Sequence, residues 1–236
     1  MLFFDPLYLV LMMPAILLAL WAQVRVSAAF SQYQRMASRS GLSGAEVARH
    51  LLTARGLSDV QVERAQGFLT DHYDPRTKTL RLSQATYDSR SVAALGVAAH
   101  ETGHALQHAD GYAPLQFRSA IVPVISLGSR LLPWLIIIGI FGGLLQQPGP
   151  FAYVFIAILF GIAGFSLVTL PVEFNASHRA LALLSSSGVL ARDELDGASK
   201  VLNAAALTYV AAAVGALLQL LYWLVRLGLL GGRRRD

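Results

Sequence analysis

Val92-Ala-Ala-Leu-Gly-Val-Ala-Ala-His-Glu-Thr-Gly-His-Ala-Leu-Gln-His108 is the stretch on which the reading of this chain turns. Within it, His100-Glu101-Thr102-Gly103-His104 has the pattern H-E-x-x-H, a zinc-protease signature when it lies on a helix. Residues four apart on an α-helix share one face and stand about 6 Å apart along the axis, so two imidazoles can reach one metal ion. Glu101 then sits beside the metal without binding it, placed to take a proton from water whose pKa a zinc ion lowers to about 7. The residues before His100 are almost all small and apolar, as in a helix buried where other helices approach closely. The competing reading is a hydrogen-bonded histidine pair with Glu101 as counter-charge, but a helix that only packs has no need of three polar residues there.

Composition sets the surroundings of this helix. Hydrophobic residues make up 55% of the 236 and charged residues only 14%, a balance too apolar for an ordinary soluble domain and expected of a membrane protein. The net charge of +5 does not point to nucleic acid, because the basic residues are scattered and end in Arg233-Arg234-Arg235, without aromatic interleaving. With no cysteine, any metal is held by His, Asp or Glu.

Outward from the motif, the chain reads as a mainly α, four-span integral membrane protein with a helical, zincin-like catalytic domain carrying a small β-hairpin or sheet. Residues 1–22 form an apolar anchor that includes Leu2, Phe3 and Phe4 and contains Pro14; Asp5 and the lack of an early Lys or Arg argue against a cleaved signal peptide. Residues 23–119 form the main catalytic portion, with helices expected over about 24–38 and 43–54, the second opened by a capping box of Ser43 and Glu46. Val60-Gln-Val62 alternates like a strand, and residues 67–82 read as a hairpin turning at Asp74-Pro75-Arg76. Its second strand, about 78–82, is expected at an open sheet edge where a substrate strand could add. Residues 120–172 read as a transmembrane hairpin whose first span, interrupted by Pro123, Arg130 and Pro133, is expected to begin near Leu131. Pro171 is expected to open a separate polar helix in a second catalytic segment, 173–203; a fourth span, 204–230, and a basic tail, 231–236, follow.

A catalytic zinc takes three protein ligands and keeps one open position, so His100 and His104 need a partner. His108 lies about 12 Å along the helix from His100, with no glycine in Ala105-Leu106-Gln107 to turn the chain back. As a plain helix-end residue it would favour the negative end of the dipole. Glu173 is the stronger candidate, an acid just past a membrane span, although it could simply complement its helix N-terminus. His178 could reach the same cleft as a donor to an oxyanion, or sit on the surface. His50 and His72 have no metal spacing.

Several blocks in order resemble the YugP-like membrane zinc metallopeptidases: Thr70-Asp-His-Tyr-Asp-Pro-Arg76, Leu80-Arg-Leu-Ser83, Ala93-Ala-Leu-Gly-Val-Ala-Ala-His-Glu101, Leu170-Pro-Val-Glu-Phe-Asn-Ala-Ser177 and Ala204-Ala-Ala-Leu-Thr-Tyr-Val-Ala211. A more distant resemblance is to HtpX and the CAAX prenyl proteases, gluzincins whose third ligand is the Glu of an E-x-x-x-D helix. That resemblance implies Glu173 as the ligand, and where those relatives carry Asp this chain has Ser177.

The resulting expectation is a zinc-dependent endopeptidase acting on a protein or peptide: His100, His104 and Glu173 hold Zn2+, Glu101 is the general base and His178 assists. A zinc-binding membrane scaffold without turnover, or a zinc amidase or esterase, would use the same residues. Two spans between His100 and Glu173 return the chain to one side, and four spans put both termini on the other. Arg25, Arg35, Arg39, Arg118, Arg179, Arg192 and Lys200 flank spans on the catalytic side, against Arg233, Arg234, Arg235 and Arg226 opposite, which favours a cytoplasmic active site.

Overall fold

Ser43 shows how directly some elements follow from sequence. Its Oγ accepts from the Glu46 N–H at 3.3 Å while the Glu46 carboxylate accepts from the Ser43 N–H at 2.7 Å, the reciprocal box that starts helix α2, Gly44–Ala54. The computed structural model describes residues 5–67 and 70–230; the expected basic tail with Arg233–Arg235, and Leu2, Phe3, Phe4, Phe68 and Leu69, lie outside the described residues. The chain is mainly helical, in the order α1 Pro6–Gln34, α2, β1 Gln61–Ala65, β2 His72–Asp74, β3 Thr79–Ser83, α3 Gln84–Tyr87, α4 Val92–Ala109, α5 Ala113–Phe141, α6 Pro150–Ser186 and α7 Arg192–Arg226.

The described residues fall into two units, one of residues 5–21, 117–170 and 209–230, the other of 22–116 and 171–208. Helices α1, α5, α6 and α7 are each long and apolar enough to cross a membrane. In the first unit their inward side chains include Phe155, Leu159, Tyr222 and Trp223, with the Phe155 and Trp223 rings edge to face at 4.8 Å. Val10, Val124, Phe141 and Phe160 point outward and exposed, as lipid-facing residues do.

In the second unit, β3 pairs parallel with β1 and antiparallel with β2, the latter closing the hairpin expected around Asp74-Pro75-Arg76. Leu80 and Leu82 of β3 are fully buried against Ala45 and Leu52 of α2 and Ala98 and Ala105 of α4. A second cluster joins Val47 and Leu51 of α2 to Val92, Leu95 and Ala99 of α4, Leu183 and Leu184 of α6, and Ala198 and Leu202 of α7. Helices α2 and α4 are common to both clusters.

Four expectations are corrected. The strand at 78–82 is not an edge: β3 is the middle strand, hydrogen-bonded on both sides, so no substrate strand can add there. The helix expected at 24–38 is the continuation of the anchor, since no glycine or proline interrupts α1 between Pro14 and Gln34. Nor does Pro171 open a new helix. Helix α6 runs through it, giving up one backbone bond to residue 167, while fully buried Val172, Ala176 and Ala180 hold the next turns in place. Pro123 and Pro133 likewise lie inside an unbroken α5, which starts well before Leu131.

Candidate metal centre

The helix that carries the motif starts at Ser91, whose Oγ accepts from the Ala94 N–H at 3.2 Å. Small residues then let its neighbours come close. A Cβ on Gly96 would stand 3.3 Å from the Ala198 Cβ of α7, and a Cβ on Gly103 would stand 2.5 Å from the Ala176 carbonyl oxygen of α6. Gly103, between Glu101 and His104, is therefore where the backbone of α6 lies against α4. Glu173 precedes Ala176 by one turn on that helix.

At this crossing three side chains converge. The His100 and His104 rings stack edge to face at 4.8 Å, as the four-residue spacing dictates. Glu173 Oε2 lies 3.2 Å from His100 Nε2 and 3.6 Å from His104 Nε2, and one ligand atom from each residue lies within 4.8 Å of the others. Tetrahedral zinc with bonds of 2.0–2.1 Å requires ligand atoms about 3.3 Å apart, which the 3.2 and 3.6 Å separations from Glu173 match, and two imidazoles with a carboxylate are donors suited to the ion. The site is shielded: Glu173 is 2% exposed and His104 9%. Burial alone would lower the pKa of His104, but the Glu173 carboxylate 3.6 Å from its Nε2 and the charge of Glu101 outweigh that and raise it. A proton and a metal ion thus compete for the same nitrogen.

The family described as "Putative neutral zinc metallopeptidase" matches residues 8–228 of the chain. The chain belongs to that family. Among curated proteins, "Putative membrane protease YugP" of Bacillus subtilis (strain 168) is 46% identical over 215 residues, covering 91% of this chain and 94% of the relative. No solved structure matches the chain. Zinc is the metal of the neutral zinc metallopeptidase family, and His100, His104 and Glu173 form a group able to hold it. With four apolar helices and a membrane-protease relative, the chain is a multi-pass membrane protein.

Glu101 is 8% exposed, and among the described residues its carboxylate makes no hydrogen bond. His108 is not brought to the metal ligands; its Nδ1 lies 2.9 Å from the Tyr73 hydroxyl of β2, whose pKa burial pushes up to about 12, so the phenol stays neutral. His178 does not reach the centre either. Five residues from Glu173 is about 140° around α6, and His178 is exposed, whereas the four-residue step to Ser177 returns to the same face. His50 and His72 are exposed, the latter with Nδ1 2.8 Å from the Thr70 carbonyl.

Ser177 Oγ lies 3.1 Å from His100 Nδ1. A hydroxyl thus stands at hydrogen-bond distance from this imidazole. Sequence reasoning passed over Gln107. It is fully buried, with Oε1 2.9 Å from His104 Nδ1 and Nε2 donating to the Val172 carbonyl at 2.8 Å and to Asn175 Oδ1 at 3.0 Å. The available signal was an amide one turn past His104 in an otherwise apolar stretch.

Proposed function

We propose that the chain is a membrane-embedded, zinc-dependent endopeptidase of gluzincin type, with His100, His104 and Glu173 as metal ligands and Glu101 as general base. The observation that carries this reading is the meeting of two Nε2 atoms and one carboxylate oxygen at zinc-ligand spacing, beside a shielded carboxylate with no hydrogen bond of its own among the described residues. Zinc, when bound, polarises the scissile carbonyl and makes water acidic enough to be deprotonated near neutral pH. Glu101 takes the proton as the water oxygen attacks the peptide carbon. It then gives that proton to the amide nitrogen as the C–N bond breaks, leaving a carboxylic acid and an amine, which at neutral pH become carboxylate and ammonium. Small residues around Gly103 hold the ligand helices together, and the buried position of Glu173 keeps competing water away from the ligand set.

The test is zinc content and cleavage of an unfolded protein by the purified full-length chain, with and without a chelator. Glu173→Ala is expected to weaken zinc binding by more than about 10²-fold, as loss of one of three ligands should. His108→Ala is expected to leave zinc affinity within about 3-fold, because His108 pairs with Tyr73 instead. The reverse order would sink the ligand assignment. In the membrane, the excess of Arg and Lys beside the spans on the catalytic side favours a cytoplasmic active site. Reporter fusions at Gly149 and at the C-terminus are expected to read non-cytoplasmic together; opposite readings from the two would refute the arrangement of spans.

A further inference from the structure

We infer that Gln107 is a positioning residue that fixes which nitrogen of His104 carries hydrogen, and so which nitrogen faces the metal, through a run of hydrogen bonds whose direction is dictated from α6. This rests on the reading of His104 as a ligand.

The direction follows from groups that can act in only one way. Arg179 can only donate, and its Nε lies 2.8 Å from Asn175 Oδ1, so that atom is the amide oxygen of Asn175. The Gln107 atom 3.0 Å from the same oxygen must then be its NH2 group. A second constraint agrees: that NH2 also lies 2.8 Å from the Val172 carbonyl, which can only accept. The remaining Gln107 atom, Oε1, is thereby an acceptor, and it lies 2.9 Å from His104 Nδ1. Nδ1 therefore carries a hydrogen, which leaves Nε2, 3.6 Å from Glu173 Oε2, as the nitrogen whose lone pair is available to a metal ion held between them. Arg179 is itself held by an ion pair with Asp110, just past the end of α4.

The two histidines differ in this respect. His100 Nδ1 faces the Ser177 hydroxyl at 3.1 Å, and a hydroxyl can donate or accept, so nothing in that contact sets a direction. Ser177→Ala is accordingly expected to cost less than the loss of Gln107.

The experiment measures zinc affinity by chelator competition, and metal coordination at His104 by imidazole 15N resonances, on the full chain in detergent. Wild type should show Nε2 coordination with hydrogen on Nδ1. Gln107→Met keeps length and an apolar interior but no hydrogen bond; it is expected to weaken zinc binding about 10–100-fold and lose the single Nδ1–H signature. Gln107→Glu sets a carboxylate oxygen against the Val172 carbonyl and Asn175 Oδ1 and should weaken binding as well. Adding Arg179→Met to Gln107→Glu lets Asn175 turn its NH2 towards the new carboxylate, so the double variant should regain part of the affinity, a recovery that lost packing does not produce. Unchanged affinity and coordination in Gln107→Met, or no recovery in the double variant, overturns the inference while leaving the ligand assignment standing. Undiminished zinc binding by His104→Ala brings down the ligand assignment, and this inference with it.

Discussion

Glu101→Gln is expected to lower peptide hydrolysis by about 10²–10⁴-fold, the range that a positioned general base contributes, while the protein still folds and binds zinc. Glutamine keeps the shape of the side chain but cannot take a proton. Its site asks little else of it, since among the described residues the Glu101 carboxylate makes no hydrogen bond and belongs to no ligand group. Removing its charge also removes one of the influences that raise the pKa of metal-free His104, so protons should compete slightly less with zinc in the variant. Steady-state cleavage of an unfolded protein, with zinc measured on the same sample, checks both halves. A rate within about 3-fold of wild type would mean that another group takes the proton.

Gly103→Ala is expected to damage the centre without touching any ligand. The added Cβ would lie 2.5 Å from the Ala176 carbonyl oxygen and 3.2 Å from its Cα and carbonyl carbon, all backbone atoms that no rotamer change can move. Overpacking of this kind costs about 1–3 kcal/mol where side chains can adjust, and more is expected against a helix backbone. Relief requires α6 to move off α4, and Glu173, Ser177 and both α6 acceptors of Gln107 lie within one turn of Ala176. Zinc affinity should therefore fall by at least about 10-fold, together with thermal stability. Gly96→Ala is the control: there the new methyl meets the Ala198 methyl at 3.3 Å, a contact that small shifts relieve. Chelator competition and thermal melts of the two variants make the comparison. Equal effects would show that the α4–α6 crossing is not what holds the ligands in register.

What sequence alone determined here was local. The four-residue step that puts His100 and His104 on one face, the Ser43–Glu46 box, the hairpin at Asp74-Pro75-Arg76 and four apolar runs all depend on residues within a few positions of each other. Helix and strand periodicity carry that information directly. Tertiary structure decided the rest. Sequence could favour Glu173 over His108 only by its place after an apolar run and by resemblance, whereas the fold sets Glu173 at 3.2 Å from His100 across 73 positions. It does so because a glycine leaves room for a carbonyl at the crossing, and a missing side chain has no periodicity to read. The rotation of α6 chose Ser177 over His178, the order of strands put β3 in the middle of its sheet, and buried packing carried α6 through Pro171. Gln107 shows the same limit. An amide among alanines and leucines gains its direction only from the acceptors another helix brings to it, and those lie 65 and 68 positions further along the chain.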